Sequence, residues 1–323
     1  MKSNYQEAQR SRSVKLVQGN SPVFYGAQGG QYFMTKDREF VLKEGLKNLF
    51  EPIRTDAITY FRNNKVSWWG GIKPTGHILS SQIACINHLF QIRNDKSAVL
   101  GILNTISKDF IEVLEIETDK FNSGYIQFES VSDFDHLNEG TPTRGNLCTS
   151  VDALIFALHR DGTKWLIPIE WKFTEYYNNQ NKSIEGYRKD PENCKGEVRK
   201  KRYTNLINQS KQLKGEDHST YYFEPFYQLM RQTLWAEQMI VHNDVETIKA
   251  DNFLHVHVIP RGNKDLLSKR YKCSGLDMES TWKSKLKDQS MYVIIDPKDL
   301  MAGINKAKYG ELTNYLSLRY WNV

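Results

Sequence analysis

Two acidic side chains and a lysine lie on neighbouring apolar segments of this 323-residue chain. Asp152 falls in the apolar run 149–158, and Glu170 and Lys172 follow in the run 166–175. Carboxylate oxygens are ligands for hard divalent cations, and a nearby ammonium group can offset the charge that builds on a phosphate. These residue types therefore indicate metal-assisted hydrolysis.

The turn between the two apolar runs determines whether these side chains can meet. A two-residue loop at 161–162 would put Asp152 on the opposite face of the hairpin from Glu170. A three-residue loop at 160–162, closed by Gly162 in the left-handed region, puts Asp152 directly opposite Glu170. We expect the three-residue loop, because only that register brings the two carboxylates together.

Strand geometry also determines the face of the sheet to which the lysine side chain points. Side chains alternate between the two faces of a strand, so Lys172 must point the same way as Glu170. Pro168 lies inside the same run and has no N–H group to give to a neighbouring strand. It therefore predicts an edge-facing position or a bulge at that point.

An Asp on one strand and Glu-x-Lys on the next, here Asp152 with Glu170 and Lys172, resembles the PD-(D/E)xK superfamily of metal-dependent nucleases. Further blocks along residues 77–262 resemble a bacterial branch of that superfamily. These blocks are Ser80-Ser81-Gln82 before Asn87, Phe128-Glu129, residues 141–152, residues 170–175 and residues 226–231.

The resemblance implies an α/β fold with a restriction-endonuclease-like core, in which α-helices flank a central mixed β-sheet. Residues 77–323 would form the nuclease-like domain with a C-terminal helical extension. Residues 1–76 would form an N-terminal arm and helices packed on that core. Within this plan we expect helices at 80–90 and 96–106 and a helical segment, divided by Pro52, within 35–63.

The resemblance also implies the composition of the active site. Asp152, Glu170 and the main-chain carbonyl of Trp171 would hold Mg²⁺, for which Mn²⁺ can substitute, while Lys172 would position the attacking water. Gln228, on the helix after the Glu-x-Lys strand, would help to orient the site. The alternative interpretation of the same residues is an ion-pair cluster on an exposed sheet face.

Members of the superfamily usually supply one more acid, often from a helix before the first strand. The helix expected within 77–93 contains no Glu, and Gln82 is its nearest polar candidate. Glu129 is our replacement as a further metal ligand, although a solvated strand end explains it as well. Glu175 either supports the ligands or lies on the surface.

The net charge of +6 is modest, so it indicates a nucleic-acid partner only if the positive charge is concentrated on one surface. The densest basic stretch contains Arg199, Lys200, Lys201 and Arg202, and Arg231 lies on a later helix. These side chains suit a phosphate backbone, and Arg231 could bind phosphate with two hydrogen bonds. A solvated helix face is the alternative for the basic stretch.

Other features of the sequence narrow the class of protein. Four cysteines form no zinc-binding spacing, so they indicate free thiols in a reducing compartment. His255 and His257 share a strand face and could ligate zinc, but a half-buried strand is the stronger interpretation. No segment is apolar enough to cross a membrane, and the first residues lack a secretory pattern. We therefore expect a cytoplasmic protein.

These observations lead to two functional hypotheses. In the first, the chain is a Mg²⁺-dependent endonuclease that hydrolyses DNA phosphodiester bonds in restriction or defence. It would work as a homodimer if it cuts both strands at symmetric sites. In the second, the chain is a catalytically inactive nuclease fold that binds nucleic acid or serves as a subunit of a larger defence assembly.

Overall fold

The computed structural model describes residues 3–118, 123–145 and 148–321. Residues 146 and 147, which belong to the block 141–152 of the family resemblance, lie outside the described residues. The α-helices in these ranges are α1 (Asn4–Gln18), α2 (Arg54–Asn63), α3 (Ser81–Leu89), α4 (Lys96–Leu103), α5 (Lys195–Gln209), α6 (Phe226–Val241), α7 (Lys264–Leu267), α8 (Met278–Ser284), α9 (Pro297–Leu300) and α10 (Gly310–Leu316). None of these helices is long and apolar enough to cross a membrane.

The strands of the described residues include one large mixed sheet and two short two-stranded ladders. They are β1 (Gln31–Phe33), β2 (Lys36–Arg38), β3 (Phe110–Leu114), β4 (Glu117–Thr118), β5 (Ser123–Gly124), β6 (Ile126–Ser130), β7 (Val151–His159), β8 (Lys164–Trp171), β9 (Asn252–Phe253), β10 (His255–Val258) and β11 (Tyr292–Ile295).

The large sheet has the order β11-β10-β8-β7-β3, with β6 also paired to β7 and β9 to β8. Its β7–β8 pair is antiparallel, whereas β10 runs parallel to both β8 and β11. Helices cover both faces. This mixed sheet flanked by helices confirms the α/β class and the restriction-endonuclease-like core that the sequence predicts.

The β7–β8 hairpin has the predicted three-residue register. The N–H of His159 donates to the carbonyl of Thr163 at 2.9 Å, and the φ angle of Gly162 is +88°. A glycine tolerates this left-handed angle because it has no Cβ. The pairing of Leu154 with Pro168 continues this register, which places Asp152 opposite Glu170.

Pro168 does not produce the edge position or the bulge that we expected. It lies in an interior strand and keeps an unbroken register with β7. The N–H of Leu254 donates to the carbonyl of Leu166, so the even-numbered residues of β8 direct their main-chain groups toward β9 and β10. The missing N–H of Pro168 therefore falls on that side, where the partner ladder is interrupted between β9 and β10.

Alternate residues of the central hairpin face two separate hydrophobic cores. Ala153, Ile155 and Ile169 belong to the core that contains α2, α3, α4 and α10, whereas Leu154 and Leu166 belong to the core that contains α5, α6 and α8. Strands buried on both faces need apolar residues at nearly every position, and the sequences of β7 and β8 supply them. This double burial fixes the hairpin that carries the site.

The predicted N-terminal arm begins with a regular helix. Residues 4–18 form helix α1, and the side chain of Ser3 caps it by accepting a hydrogen bond from the N–H of Gln6. The helical segment predicted within residues 35–63 is only partly correct. Its first half forms β2 and short 3₁₀ turns, and only α2 is an α-helix.

Candidate active site

Lys172 lies just beyond β8 and is almost completely buried, at 5% exposure. Its Nζ donates to Oε1 of Glu170 at 2.5 Å and to Oε1 of Gln228 at 2.7 Å. Burial by itself lowers the pKa of Lys172, but the charges of Glu170, Tyr177, Glu175 and Asp152 together outweigh it, and the pKa ends well above its usual range. The lysine is therefore a fixed cation, and Gln228 lies where the sequence predicts it.

Glu170 is held by a second glutamine that sequence analysis did not select. Nε2 of Gln232, one helical turn after Gln228, donates to Oε2 of Glu170, and Oε1 of Gln232 lies 3.1 Å from Nε2 of His255. Because burial lowers the pKa of His255 to about 3, this imidazole is neutral and donates its Nε2–H to the glutamine. The i, i+4 spacing of the two glutamines was the signal in the sequence.

Asp152 stands at the edge of this arrangement and is partly exposed. Its Oδ2 accepts a hydrogen bond from the main-chain N–H of Trp171 at 2.6 Å, which ties β7 to β8 at the site. On the other side of β7, the pairing of Phe128 with Ala153 places Glu129 opposite Asp152. The three acids of the sequence prediction, Asp152, Glu170 and Glu129, thus lie on adjacent strands.

Glu129 is directed into the site by an unusual backbone. Its φ angle is +48°, a left-handed conformation that costs an ordinary residue about 1–2 kcal/mol. Oε1 of Glu129 accepts a hydrogen bond from Nε2 of Gln82 at 2.7 Å, and Oε2 accepts one from the Ser150 hydroxyl at 3.3 Å. The two residues weighed for the missing acid, Gln82 on α3 and Glu129 on β6, are therefore hydrogen-bonded to each other.

The three carboxyl groups repel one another electrostatically. Burial, followed by the charges of Glu170 and Glu129, raises the pKa of Asp152 well above its usual range. Burial also raises the pKa of Glu129 to about 7, and Glu170 adds to this effect. The ammonium of Lys172 opposes this effect at Asp152, and the charge of Arg144 opposes it at Glu129. A donor set of crowded carboxylates that hold protons near neutral pH fits a divalent cation, which would displace those protons.

The carboxylates of this site suit a cation that needs few protein ligands. Among the described residues, no group of three or more His, Cys, Asp or Glu side chains is arranged as a ready-made metal site. Mg²⁺ is commonly bound through one or two carboxylates, with water and substrate phosphate as its other ligands. Asp152 and Glu170 match that requirement by type, and a cation would share Glu170 with the ammonium of Lys172.

Replacing Glu129 with glutamine is expected to stabilise the metal-free protein more at pH 8 than at pH 5. The pKa of about 7 in the folded protein lies above the value of the unfolded chain, so the folded state binds the proton more tightly. The parent therefore loses stability as the pH rises through this window, and a glutamine does not titrate. The measurement is the thermal midpoint of variant and parent in EDTA.

The difference between the two midpoints reports the carboxyl group of Glu129 together with its electrostatic coupling to Asp152. Burial lowers the pKa values of His88 and His255 to about 3, and these groups oppose the trend in the parent. They titrate alike in both proteins and cancel in the difference. A difference that stays constant between pH 5 and pH 8 would contradict the raised pKa of Glu129.

A cavity of about 700 Å³ opens beside the acidic side chains. Asp152, Glu129 and Gln82 line one side of it, together with Glu175. Glu175 is half-buried, and its Oε2 accepts a hydrogen bond from the N–H of Phe173 at 2.6 Å. Glu175 therefore lies on the wall of the cavity, and its role there stays a prediction.

The basic residues of the sequence prediction differ in how they are engaged. Nη1 of Arg199 pairs with Glu185 at 2.9 Å, and Lys200 pairs with Glu197. In contrast, Lys201 and Arg202 form no ion pair with any residue that the structure describes. Only this second pair has its charge free to meet a phosphate backbone.

Arg231 is also engaged. Its Nε donates to Oε1 of Glu139 at 3.0 Å, and Glu139 further accepts hydrogen bonds from Tyr203 and Thr149. Burial raises the pKa of Glu139, but the charge of Arg231 and these hydrogen bonds outweigh it, so the pKa falls below its usual range. A phosphate contact by Arg231 stays a prediction, and any such contact must compete with this carboxylate.

The two histidines of β10 belong to a fully buried strand instead of a half-buried one. His255 faces Gln232, and Nδ1 of His257 lies 3.0 Å from the hydroxyl of Tyr292. Burial lowers the pKa of His257 well below its usual range. Both imidazoles are therefore neutral parts of the core behind Glu170.

A mixed sheet between two layers of helices, with an Asp and a Glu-x-Lys on adjacent strands, defines a restriction-endonuclease-like protein. Residues 4–321 match the model of a family described as Restriction Endonuclease associating with ARP, and the chain belongs to that family. Comparisons with curated proteins and with solved structures find no match.

Proposed function

We propose that this protein is a Mg²⁺-dependent endonuclease that hydrolyses DNA phosphodiester bonds in a restriction or defence role. The observation that carries the proposal is the position of Lys172. Its buried ammonium is held between Glu170 and Gln228, beside Asp152, which lines a large cavity. An ammonium fixed next to crowded carboxylates suits the charge that develops on a phosphate during hydrolysis.

Each residue has a distinct role in this proposal. Asp152, Glu170, the carbonyl of Trp171 and, as a further ligand, Glu129 would hold Mg²⁺, or Mn²⁺ in its place. When bound, the ion would neutralise charge on the scissile phosphate and activate water. Lys172 would orient that water and stabilise the developing charge.

Two glutamines would act through these residues as positioning groups. Gln228 fixes the direction of the lysine ammonium, and Gln232 fixes Glu170 from the opposite side. Because Gln232 is in turn held by the neutral His255, the carboxylate keeps one orientation. Such preorganisation lowers the cost of reaching the transition state.

The proposal makes the divalent cation indispensable. We expect purified protein to cut plasmid or single-stranded DNA in Mg²⁺ and to lose this activity in EDTA, because one ammonium alone cannot balance the acids and the phosphate. The measurement is gel analysis of both substrates under both conditions. Cutting that persists in EDTA would exclude the metal mechanism.

DNA binding in this proposal uses the free cations of α5. Replacing Lys201 and Arg202 with alanine is expected to reduce the slope of log affinity against log salt by about 1.8 for duplex DNA. The same change at Arg199 and Lys200 should reduce it much less, since Glu185 and Glu197 already neutralise them. Titrations at several salt concentrations measure the slope. Equal slopes for all three proteins would exclude this surface.

The second candidate is a nuclease fold that binds nucleic acid without turnover, or one subunit of a larger defence assembly. The family description names an association with ARP, and this favours a protein that works as one subunit of an assembly. In either case we propose a cytoplasmic protein, with a homodimer for symmetric double-strand cuts. Absence of cutting on every substrate, with DNA binding retained, would favour the second candidate.

A further inference from the structure

The cavity that Asp152 and Glu129 line is also lined by aromatic side chains. Phe33, on the β1–β2 hairpin, lies 5.3 Å from the ring of His77, and Trp69 lies 5.5 Å from the same ring in an edge-to-face arrangement. Phe40 completes the group at 5.2 Å from His77. All four rings line the cavity that also contains Asp152.

These rings are not simply part of the hydrophobic core. Trp69 is 50% exposed, whereas its neighbour Trp68 is 5% exposed and stacks on Phe61 with the ring centroids 3.8 Å apart. The adjacent tryptophans thus have different environments, one in the core and one at the cavity. A large half-exposed indole beside a catalytic cavity offers a flat surface for a planar ligand.

Two arginines accompany the rings. Arg10 of α1 and Arg38 of β2 both line the cavity, and the guanidinium of Arg10 lies 4.5 Å above the ring of Phe40. Nη1 of Arg10 is paired with Oε1 of Glu7 at 2.6 Å, whereas Arg38 forms no ion pair with any residue that the structure describes. Arg38 therefore brings an unpaired positive charge to the cavity that the rings line.

Trp69 is connected to the acidic site by hydrogen bonds. The main-chain N–H of Trp69 donates to Oε1 of Gln82 at 2.7 Å, and Nε2 of Gln82 donates to Oε1 of Glu129 at the same distance. Gln82 therefore links the main chain at Trp69 to the carboxylate of Glu129. A group stacked on Trp69 would lie in the same cavity as the proposed scissile phosphate.

We propose that Phe33, Trp69 and His77, with Arg10 and Arg38, form a subsite for an unpaired nucleobase of the DNA substrate and its adjoining phosphate. This inference rests on the proposed function. Aromatic side chains with nearby cations are the usual means of binding unstacked bases, since every base has a flat face and every nucleotide a charged phosphate. Burial and Arg10 lower the pKa of His77 to about 4, so the imidazole is neutral and does not repel the adjacent cations.

An unpaired base can come from single-stranded DNA or from a duplex that releases one base from its stack. Release is easiest at a mismatch, where less pairing is lost. The subsite therefore favours a single strand, or a duplex with one mismatch, over a fully paired duplex. This preference separates it from a groove that contacts only the backbone.

The test is binding of a fluorescein-labelled single strand, measured by anisotropy in EDTA so that cleavage does not interfere. Trp69→Ala is expected to weaken binding between about 5-fold and about 100-fold, and Trp69→Phe is expected to bind nearly as the parent does. Tyr25→Ala is the matched control, because Tyr25 is 73% exposed and does not line the cavity. Binding by Trp69→Ala that equals the parent, or an equal loss in Tyr25→Ala, would overturn the subsite.

The same strand placed in two duplexes identifies the source of the base. Tighter binding to a duplex with one mismatch than to the paired duplex, with the preference lost in Trp69→Ala, supports a base taken from a duplex. Trp69-dependent binding of the single strand alone supports a single-stranded substrate. Mg²⁺-dependent plasmid cutting by the parent is a separate readout: a protein that cuts but binds independently of Trp69 overturns the subsite alone, and one that neither binds nor cuts overturns the proposed function.

Discussion

Replacing Lys172 with alanine is expected to reduce DNA cleavage at least about 100-fold. The side chain is the cation fixed between Glu170 and Gln228, and no neighbouring group replaces its charge next to the phosphate. Substrate binding should change little, because the free cations of α5 lie elsewhere. The measurement is the initial rate of plasmid cleavage in Mg²⁺.

The lysine at the start of β8 provides the matched control. Lys164 is exposed and lies at the end of the strand away from Lys172, so Lys164→Ala should cut at the rate of the parent. Removing a buried ammonium also leaves Glu170 without its partner, and thermal melting must show that Lys172→Ala remains folded. Cleavage by folded Lys172→Ala at the parental rate would remove this residue from the mechanism.

Replacing Asp152 with asparagine is expected to abolish cleavage and yet stabilise the metal-free protein. The pKa of Asp152 is raised by burial and by the charges of Glu170 and Glu129, so its ionised form destabilises the fold. Asparagine keeps an oxygen that can accept the N–H of Trp171 and removes the charge. Relief of strain at functional sites commonly contributes about 0.5–2 kcal/mol, which corresponds to a midpoint rise of about 1–4 °C in EDTA.

Addition of Mg²⁺ should reverse the order of stability. An ion that binds only the folded parent stabilises it by about 2.7 kcal/mol at a concentration one hundred times its dissociation constant, and Asp152→Asn should not gain this increment. Asp244→Asn, which changes an exposed carboxylate, should respond to Mg²⁺ as the parent does. A variant that is equally stabilised by Mg²⁺ would show that Asp152 is not a ligand.

The correct predictions concern local features, which depend only on residues close together in the sequence. The register of the β7–β8 hairpin depends on the Asp-Gly turn and on a side-chain period of two residues, and both are visible in the sequence. Helices α3 and α4 follow from apolar spacing in the same way. Gln228 was selected from the family resemblance, and its contact with Lys172 became visible only when α6 was placed against the face of the sheet that carries Glu170.

Besides the local errors at Pro168 and within residues 35–63, the features that the sequence did not reveal concern packing between distant segments. Helix α1 is polar along most of its length, and it is held on the fold by the buried side chains of Tyr5 and Val17 and by the bonds of Arg12 to the carbonyls of Leu318 and Arg319. Arg231 is paired with Glu139, a residue in a loop far away in sequence. Neither set of contacts could be chosen from residue type alone, because many polar and charged groups were available.

The sequence by itself determined the hairpin with its Asp, Glu and Lys, because strand alternation and turn chemistry act between near neighbours. Only the tertiary structure decided that Gln82 holds Glu129, that Gln232 holds Glu170, and that four aromatic rings line the same cavity as Asp152 and Glu129. These contacts join segments that meet only when both faces of the sheet are covered. The burial that brings them together also raises the pKa values of Asp152 and Glu129. A bound cation would stabilise the ionised form of these carboxyl groups.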